Sequence, residues 1–294
     1  MTKKLVIFDG NHLAYRAYYK FTNLKTLDGV KTGVIYGMPY VAESLIRRLT
    51  PDDVVVVFDG GRSPFRKGLL PSYKERDKKL GFDAEDFFRQ RDEGKEIFKA
   101  LGLKVARKED VEADDLITMI SRRYSKKGWE IIIVSGDKDF NQLLDKNIKI
   151  FNVTKNKLYE DWNLKKEIGY TPDQFVDYIS ITGDKSDHID GYPGLGPKRT
   201  TILLEKYGSI DNFIKSGDSF GKVDVALLKE IWKRNKKLID LKYFYLRFMI
   251  NEAIPWENPT GEFSLEKVKK LCGNYEINSF LKSQFINTFK NLKA

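Results

Sequence analysis

The sequence has 294 residues, and at about 150 residues per domain this length indicates about two domains. Its 52 lysines and arginines exceed its 42 acidic residues, and the formal net charge of +10 favours a polyanionic partner, either nucleic acid or an anionic membrane surface. The single cysteine, Cys272, excludes a disulfide framework within the chain and a cysteine-based zinc site, and no apolar run approaches the ~18 residues of a membrane span. The first apolar run is too short for a signal peptide, so we expect a cytoplasmic protein without a membrane segment.

Three short apolar runs, at residues 5–8, 54–58 and 131–134, are rich in β-branched residues and lack polar alternation. This pattern is typical of strands buried on both faces of a parallel sheet. Helical patterns lie between the runs, for example at residues 84–101 and 113–124. Strands that alternate with helices predict an α/β fold with a mostly parallel central sheet flanked by helices.

An aspartate closely follows each of these runs, namely Asp9, Asp59 and Asp137. Because the carboxyl ends of parallel strands meet at one edge of a sheet, where ligands bind in such folds, we expect the three side chains to lie close together. Further acids occur in short clusters along the chain: Glu112, Asp114, Asp115, Asp139, Asp184 and Asp187.

Each acidic cluster alone has an ordinary structural explanation. Asp-Gly after a strand is a common turn, acids in a first helical turn favour the helix dipole, and residues 184–187 could form an Asx turn. Nine carboxylates near one sheet edge would nevertheless repel one another unless cations neutralise them. Hard divalent cations such as Mg²⁺ prefer carboxylate oxygens, so the set predicts a metal site suited to phosphodiester chemistry.

A basic segment directly follows the second apolar run. Residues 62–79 contain seven lysines and arginines against two acids, a local net charge of +5, together with Pro64, Pro71 and Tyr73. The segment is typical of a loop or short-helix insertion over the strand ends.

The second half of the sequence reads mainly as helices after a hairpin at residues 148–159. We place a boundary near residue 183, between the α/β part and the helical part. The Gly194-Leu195-Gly196 segment separates two helical patterns, and Lys198 and Arg199 follow beside exposed backbone donors. This arrangement suits a phosphate, although ordinary helix–helix packing is the alternative.

Seven blocks resemble, in order, the 5′-nuclease (flap endonuclease) superfamily, particularly phage 5′→3′ exonucleases and the amino-terminal nuclease of bacterial DNA polymerase I. They are FDGN to YRA (8–17), FD (58–59), YKER (73–76), VEADD (111–115), SGDKD (135–139), TGDKSD (182–187) and GLGPKRT (194–200). The resemblance implies a nuclease core over residues 1–182, a helical arch at about 62–98, and a helical DNA-binding region over 183–294. A helix–two-turn–helix would occupy about residues 183–206 of that region.

The resemblance also assigns roles to the acidic residues. It implies two Mg²⁺ or Mn²⁺ ions, with Asp115 close to both. The ligands of the first ion would be Asp9, Asp59, Glu112 and Asp114, and those of the second Asp137, Asp139, Asp184 and Asp187.

Basic residues would contact the substrate. By the same resemblance Lys74, Arg76 and Arg16 match residues at the scissile phosphate, and the helix–two-turn–helix would hold a K⁺ ion. The expected DNA contacts are Arg62, Arg66, Lys67, Tyr73, Gly194, Gly196, Lys198, Arg199 and Thr200.

The resemblance therefore implies a monomeric, divalent-metal-dependent nuclease that cuts DNA at 5′ ends, flaps or junctions, and also RNA in RNA–DNA hybrids. His188 departs from the family pattern, which usually has Asn after the last aspartate. The sequence predicts a capping or surface position for His12 and a structural role for His188. Two alternatives stay open: a catalytically weak DNA-junction-binding protein of this fold, and an RNA-cleaving nuclease of the related PIN type, which typically lacks the arch and the hairpin.

Overall fold

A six-stranded sheet forms the centre of the amino-terminal half in the computed structural model, which describes residues 2–75 and 81–292. The strands are β1 (Lys4–Asp9), β2 (Asp53–Val57), β3 (Lys104–Ala106), β4 (Glu130–Val134), β5 (Ile148–Asn152) and β6 (Lys157–Tyr159). Their order across the sheet is β3-β2-β1-β4-β5-β6. The first five are parallel and only β6 runs antiparallel to β5, which confirms the predicted mostly parallel sheet and the predicted hairpin.

Both faces of the sheet are buried, because successive side chains of a strand point in opposite directions. In β1, Val6 and Phe8 join the core on one face, and Leu5 and Ile7 join the core on the other. Continuous apolar runs therefore have no solvent-facing side, which is why they lack polar alternation.

Among the described residues of this half, six helices accompany the sheet: α1 (Gly10–Lys20), α2 (Gly33–Leu49), α3 (Pro64–Leu69), α4 (Ala84–Ala100), α5 (Ala113–Lys126) and α6 (Asp161–Ile168). Helices α1, α2 and α4 cover the Val6 face, where α4 contributes the buried Phe87 and Ile97. Helix α5 covers the opposite face through Leu116 and Ile120, as its periodicity predicts.

The described parts of the predicted arch, residues 62–98, pack against other elements of the protein. Helix α4 packs on α2, and the segment that follows α3 contains the buried Tyr73. Residues 76–80 of the arch lie outside the described residues. The amphipathic pattern of residues 84–98 therefore marks a core helix rather than a free-standing one.

The second half contains α7 (Phe175–Thr182), β7 (Gly183–Asp184), β8 (Ile189–Asp190), α8 (Pro197–Tyr207), α9 (Ile210–Ser216), α10 (Val225–Ile239), α11 (Leu241–Phe244), α12 (Leu265–Asn274) and α13 (Ser283–Lys290). Strands β7 and β8 pair antiparallel as a two-stranded unit. Helices α7 to α10 surround a small core of their own that includes Leu203, Phe213 and Trp232.

After α10 the chain returns to the α/β part. Phe244 and Met249 join the core beneath α5, and Cys272 and Phe289 join the core on the opposite face of the sheet. The helices after residue 240 thus cover the sheet, whereas the sequence assigned all of residues 183–294 to a DNA-binding region. In the described part of the chain, no helix combines the length and the apolar character needed to cross a membrane.

Candidate active site

The carboxyl-terminal edge of the sheet gathers the acids that follow the strands. Asp9 is the last residue of β1 and pairs in register with Val57, the last residue of β2, so Asp59 follows two residues later. Asp137 follows β4, the other neighbour of β1. The structure thus brings together three acids that are far apart in sequence.

Two of these carboxylates are held by hydrogen bonds from neighbouring elements. Asp9 accepts one from the backbone N–H of His12 (2.9 Å) and one from the Ser135 hydroxyl (2.8 Å). Asp59 accepts one from the backbone N–H of Ala113 (2.6 Å) and one from the Asn11 amide. Sequence reasoning assigned no role to Asn11 and Ser135, because a single polar residue carries no periodicity. Both nevertheless lie within the FDGN and SGDKD blocks, next to the aspartates of those blocks.

A second acidic group lies beside the first. One carboxylate oxygen each of Asp139, Asp184 and Asp187 lies within 4.8 Å of the other two. Asp139 stands in the 3₁₀ turn Lys138–Leu143, whose start is capped by the Asp137 side chain (2.9 Å). Three of the four predicted ligands of the second ion therefore meet from two segments of the chain, residues 137–139 and 184–187.

The acidic groups carry more negative charge than their protein partners balance. Burial, with the charges of Asp59 and Asp137 added, raises the pKa of Asp9 to about 7. Burial and the charge of Asp137 raise the pKa values of Asp114 and Asp139 well above their usual range. The Oδ1 atom of Asp139 is buried and accepts no hydrogen bond from the residues that the structure describes. Such oxygen donors fit a divalent cation.

Lys74 links Glu112 and Asp114, at the start of α5, to Asp187 of the second acidic group. Its Nζ atom lies 2.7 Å from Glu112 Oε2, 3.5 Å from Asp114 Oδ2 and 4.0 Å from Asp187 Oδ2. Its backbone has a left-handed φ of 51°, and its N–H donates to the Asp187 carbonyl (3.2 Å). Although burial opposes the shift, Lys74 and Arg66 hold the pKa of Glu112 below its usual range. Lys74 therefore stands where a phosphate approaching the carboxylates would meet a fixed positive charge.

Two sequence expectations, for Arg66 and Tyr73, are corrected by burial. Arg66 was expected at DNA, but its side chain is 1% exposed and donates two 2.7 Å hydrogen bonds to Asp115. Asp115 was expected close to both metals, and each of its two oxygens accepts a hydrogen bond from this guanidinium. Tyr73 was also expected at DNA, but it is buried, and its hydroxyl donates to Glu112 (3.1 Å).

The other basic residues near the cluster are more accessible. Arg62 and Lys67 are exposed on either side of the start of α3. Arg16 is half-buried on α1, and its Nε atom has no partner among the residues that the structure describes. Arg76 lies outside the described residues.

The glycine hairpin before α8 is exposed at Gly194, Gly196, Lys198 and Arg199. Gly194 has a φ of +83°, which favours glycine, and its carbonyl accepts a hydrogen bond from Arg199 (2.8 Å). Thr200 is a correction: its side chain is buried, and its hydroxyl donates to two carbonyls within the hairpin instead of facing DNA.

His188 is compatible with the second acidic group. It is exposed and adopts a left-handed φ of 58°, a conformation in which Asn and His are both enriched. The preceding Asp187 still reaches Asp139 and Asp184. The backbone therefore accommodates His where the family pattern has Asn.

Comparison with known proteins gives matches along most of the chain. The family model "5'-3' exonuclease, N-terminal resolvase-like domain" matches residues 4–169, and "5'-3' exonuclease, C-terminal SAM fold" matches residues 170–259. The 5′-3′ exonuclease of Aquifex aeolicus is 32% identical over 95% of this chain and 94% of its own length. DNA polymerase I of Bacillus caldotenax is 30% identical over 81% of this chain, which corresponds to 27% of the polymerase.

Solved structures share the fold. A bacteriophage T5 5′-exonuclease with bound zinc has a TM-score of 0.73 and 21% identity, covering 92% of this chain and 98% of that one. A T5 flap endonuclease in complex with DNA and metal ions has a TM-score of 0.73 and 22% identity, with the same coverage. The relatives do not favour the alternative of a catalytically weak junction-binding protein. The sequence prediction is thus confirmed: the chain belongs to the 5′-3′ exonuclease family and is a 5′-nuclease.

Proposed function

We propose that this nuclease hydrolyses DNA phosphodiesters at 5′ ends and 5′-flap junctions with two divalent cations, Mg²⁺ or Mn²⁺, in replication or repair. The observation that carries the proposal is the meeting of Asp139, Asp184 and Asp187 within 4.8 Å, next to the carboxylates that follow β1 and β2. The Lys74 ammonium lies between Glu112 and Asp187. A phosphodiester displacement needs this combination of converging carboxylates and a fixed cation.

The carboxylates divide into two sets of ligands. When bound, divalent cations supply the charge that activates a water for in-line attack and neutralises the leaving oxygen. Asp115 is left out of both sets, because Arg66 occupies both of its oxygens. We assign Asp9, Asp59, Glu112 and Asp114 to the first ion and Asp137, Asp139, Asp184 and Asp187 to the second.

Basic side chains of the chain itself act on the scissile phosphate. Lys74 donates from within the cluster, and Arg16 approaches from the first helix after β1. Arg76 is assigned to the same phosphate from its place in the YKER block. These cations stabilise the charge that develops on the phosphate. Attack of water on the phosphorus breaks its bond to the 3′ oxygen, which leaves with a proton, so the product carries a 5′-phosphate.

The duplex is held away from the cluster, by residues 183–239. The exposed hairpin at Gly194 and Gly196, with Lys198, faces the phosphate backbone, and Arg199 braces the hairpin through the Gly194 carbonyl. A K⁺ ion bound by the backbone carbonyls of the hairpin would also help to bind the duplex. Arg62 and Lys67 contact the strand that enters the site. The enzyme acts as a monomer, and RNA in an RNA–DNA hybrid is a second substrate.

One assay tests this function. Flap, nicked, blunt and RNA-primed duplexes, each labelled at one end, are incubated with the enzyme in Mg²⁺, in Mn²⁺ and in chelator. We expect products released from the 5′ side, fastest with the flap, and no cleavage in chelator. Cleavage that persists in chelator, or that starts at 3′ ends, would contradict the proposal. Equal rates on RNA-primed and DNA substrates would support the hybrid activity, and an intact RNA-primed strand would remove it.

A further inference from the structure

Arg66 lies at a junction of three helices behind the acidic cluster. It belongs to α3, and its guanidinium donates to both oxygens of Asp115 on α5 at 2.7 Å. Its Nε–H donates to the carbonyl of Leu238 in the last turn of α10 (2.9 Å), and its Cζ atom lies 4.6 Å from the centre of the Phe244 ring. Because a buried guanidinium donates in fixed directions, its hydrogen bonds fix the relative positions of the elements that it contacts.

The α5 side of this junction carries proposed metal ligands. Glu112 and Asp114 stand in the same turn as Asp115, and Arg66 Nη1 lies 3.6 Å from Glu112 Oε1. The backbone N–H of Ser63, at the start of α3, donates to that same Glu112 oxygen (3.1 Å). Any displacement of Arg66 would therefore move the first turn of α5 against α3.

The other side of the junction leads to Lys74 and to the proposed duplex-binding region. Tyr73 packs in a buried cluster with Phe175, Ile189 and Leu238, which belong to α7, β8 and α10. Lys74 follows directly and reaches Glu112. The same short segment thus contacts the catalytic acids at one end and the helical region at the other.

We propose that Arg66 is a positioning residue of the nuclease: through Asp115 and Leu238 it aligns Glu112 and Lys74 with the helical region that holds the duplex. This inference rests on the proposed function, since it concerns how those groups reach their working positions. Asp115 serves catalysis as the counter-ion of Arg66.

The physics of buried ion pairs allows positioning to be separated from stability. Removing one partner leaves an uncompensated buried charge and is strongly destabilising, whereas replacing both partners by apolar residues of similar volume is often neutral or stabilising. The double variant Arg66→Met/Asp115→Leu therefore removes the two hydrogen bonds between these side chains and restores the stability that either single variant loses. A purely structural pair would regain function together with stability.

The test compares the wild type, Arg66→Met, Asp115→Leu and the double variant. The control is Lys104→Met/Asp53→Leu, an ion pair (2.6 Å) between β2 and β3 at the opposite edge of the sheet.

We expect the single variants to lower Tm and the double variant to recover most of that loss. In the double variant, kcat on a 5′-flap substrate stays about 100-fold low with KM within about threefold, because small misplacements of catalytic groups act on turnover. Its Mn²⁺ affinity by calorimetry falls about 10-fold, as for other residues that orient metal ligands. The control keeps its kcat and its Mn²⁺ affinity.

A double variant that recovers kcat and Mn²⁺ affinity together with Tm would overturn the inference. If the double variant does not fold, Arg66→Lys decides, because lysine keeps the charge but lacks the bidentate fork. A folded Arg66→Lys protein with wild-type kcat and Mn²⁺ affinity overturns the inference, and a loss of both supports it. Failure of the proposed function looks different, since the wild type itself would then neither bind Mn²⁺ nor cut the flap.

Discussion

The ammonium group of Lys74 lies 2.7 Å from the Oε2 atom of Glu112, a carboxylate that also accepts hydrogen bonds from Tyr73 and from the Ser63 backbone. Three donors from the segment 63–74 therefore converge on the acid that precedes α5. This arrangement fixes Lys74 beside Asp114 and Asp187 although its backbone adopts a left-handed conformation. A strained, multiply held lysine at the edge of an acidic cluster indicates a group placed for charge stabilisation.

Replacement of Lys74 should slow the chemical step. For Lys74→Ala we expect the single-turnover rate of flap cleavage to fall about 100- to 1,000-fold, because one preorganised charge opposite the reacting phosphate is lost. Flap affinity, measured by fluorescence anisotropy in Ca²⁺, should change only severalfold. The matched control is Lys67→Ala, an exposed lysine of the same segment, which should weaken binding slightly and leave the rate intact. Equal rates for Lys74→Ala and the wild type would remove Lys74 from the site.

Divalent cations should stabilise the fold. A ligand at 100 times its Kd adds about 2.7 kcal/mol, which for a chain of this size raises Tm by roughly 4–5 °C. We expect this rise with Mg²⁺ or Mn²⁺ in the wild type and its loss in Asp139→Asn/Asp187→Asn. The charge-matched control Asp211→Asn/Asp218→Asn changes two exposed acids of the helical region and should keep the rise. The same Tm rise in both double variants would place the cations elsewhere.

Gly136 should be required because of its neighbour and not because of its backbone conformation. A Cβ atom at this position would lie 2.5 Å from Cε1 of His12, so Gly136→Ala must displace either the imidazole or the loop that carries Asp137. We expect a loss of about 1–3 kcal/mol in urea unfolding, as for other overpacked sites.

Truncation of the opposing side chain gives the internal check on Gly136. His12→Ala/Gly136→Ala should regain most of the lost stability. Gly68→Ala is the control, since nothing lies within 4 Å of an added Cβ there, and it should be neutral or slightly stabilising. No recovery in the double variant would show that the contact with His12 is not the cause.

The buried thiol of Cys272 gives a prediction for pH dependence. Burial raises its pKa to about 11, above the value of about 8.5 in an unfolded chain. Burial of the neutral thiol therefore contributes fully to the free energy of unfolding below about pH 8.5, and this contribution is lost as the pH rises through 11. At pH 8 the native protein should react with a thiol reagent far more slowly than the urea-unfolded protein, because about 0.1% of the thiol is ionised. Equal rates in the two states would contradict the burial of Cys272.

The sequence predicted the sheet and its acidic edge because both follow from local patterns. Runs such as residues 54–58 are apolar throughout, and each is followed by an acid at the edge where parallel strands converge. The packing of Cys272 and Phe289 onto the sheet was not predicted, because an amphipathic helix does not specify which surface it covers. The prediction that Arg66 in the basic segment contacts DNA was wrong for a related reason. Charge alone does not reveal that Arg66 has a buried partner in Asp115, 49 residues later.

The most direct test of a metal-dependent nuclease at this edge is flap cleavage by Asp137→Asn/Asp139→Asn. The asparagines keep the shape of the side chains but remove two of the charges proposed to hold the second ion. We expect cleavage of a 5′-labelled flap in Mg²⁺ to disappear while binding to the same junction stays within severalfold of the wild type. A double variant that still cuts the flap at the wild-type rate would show that these carboxylates are not the metal site.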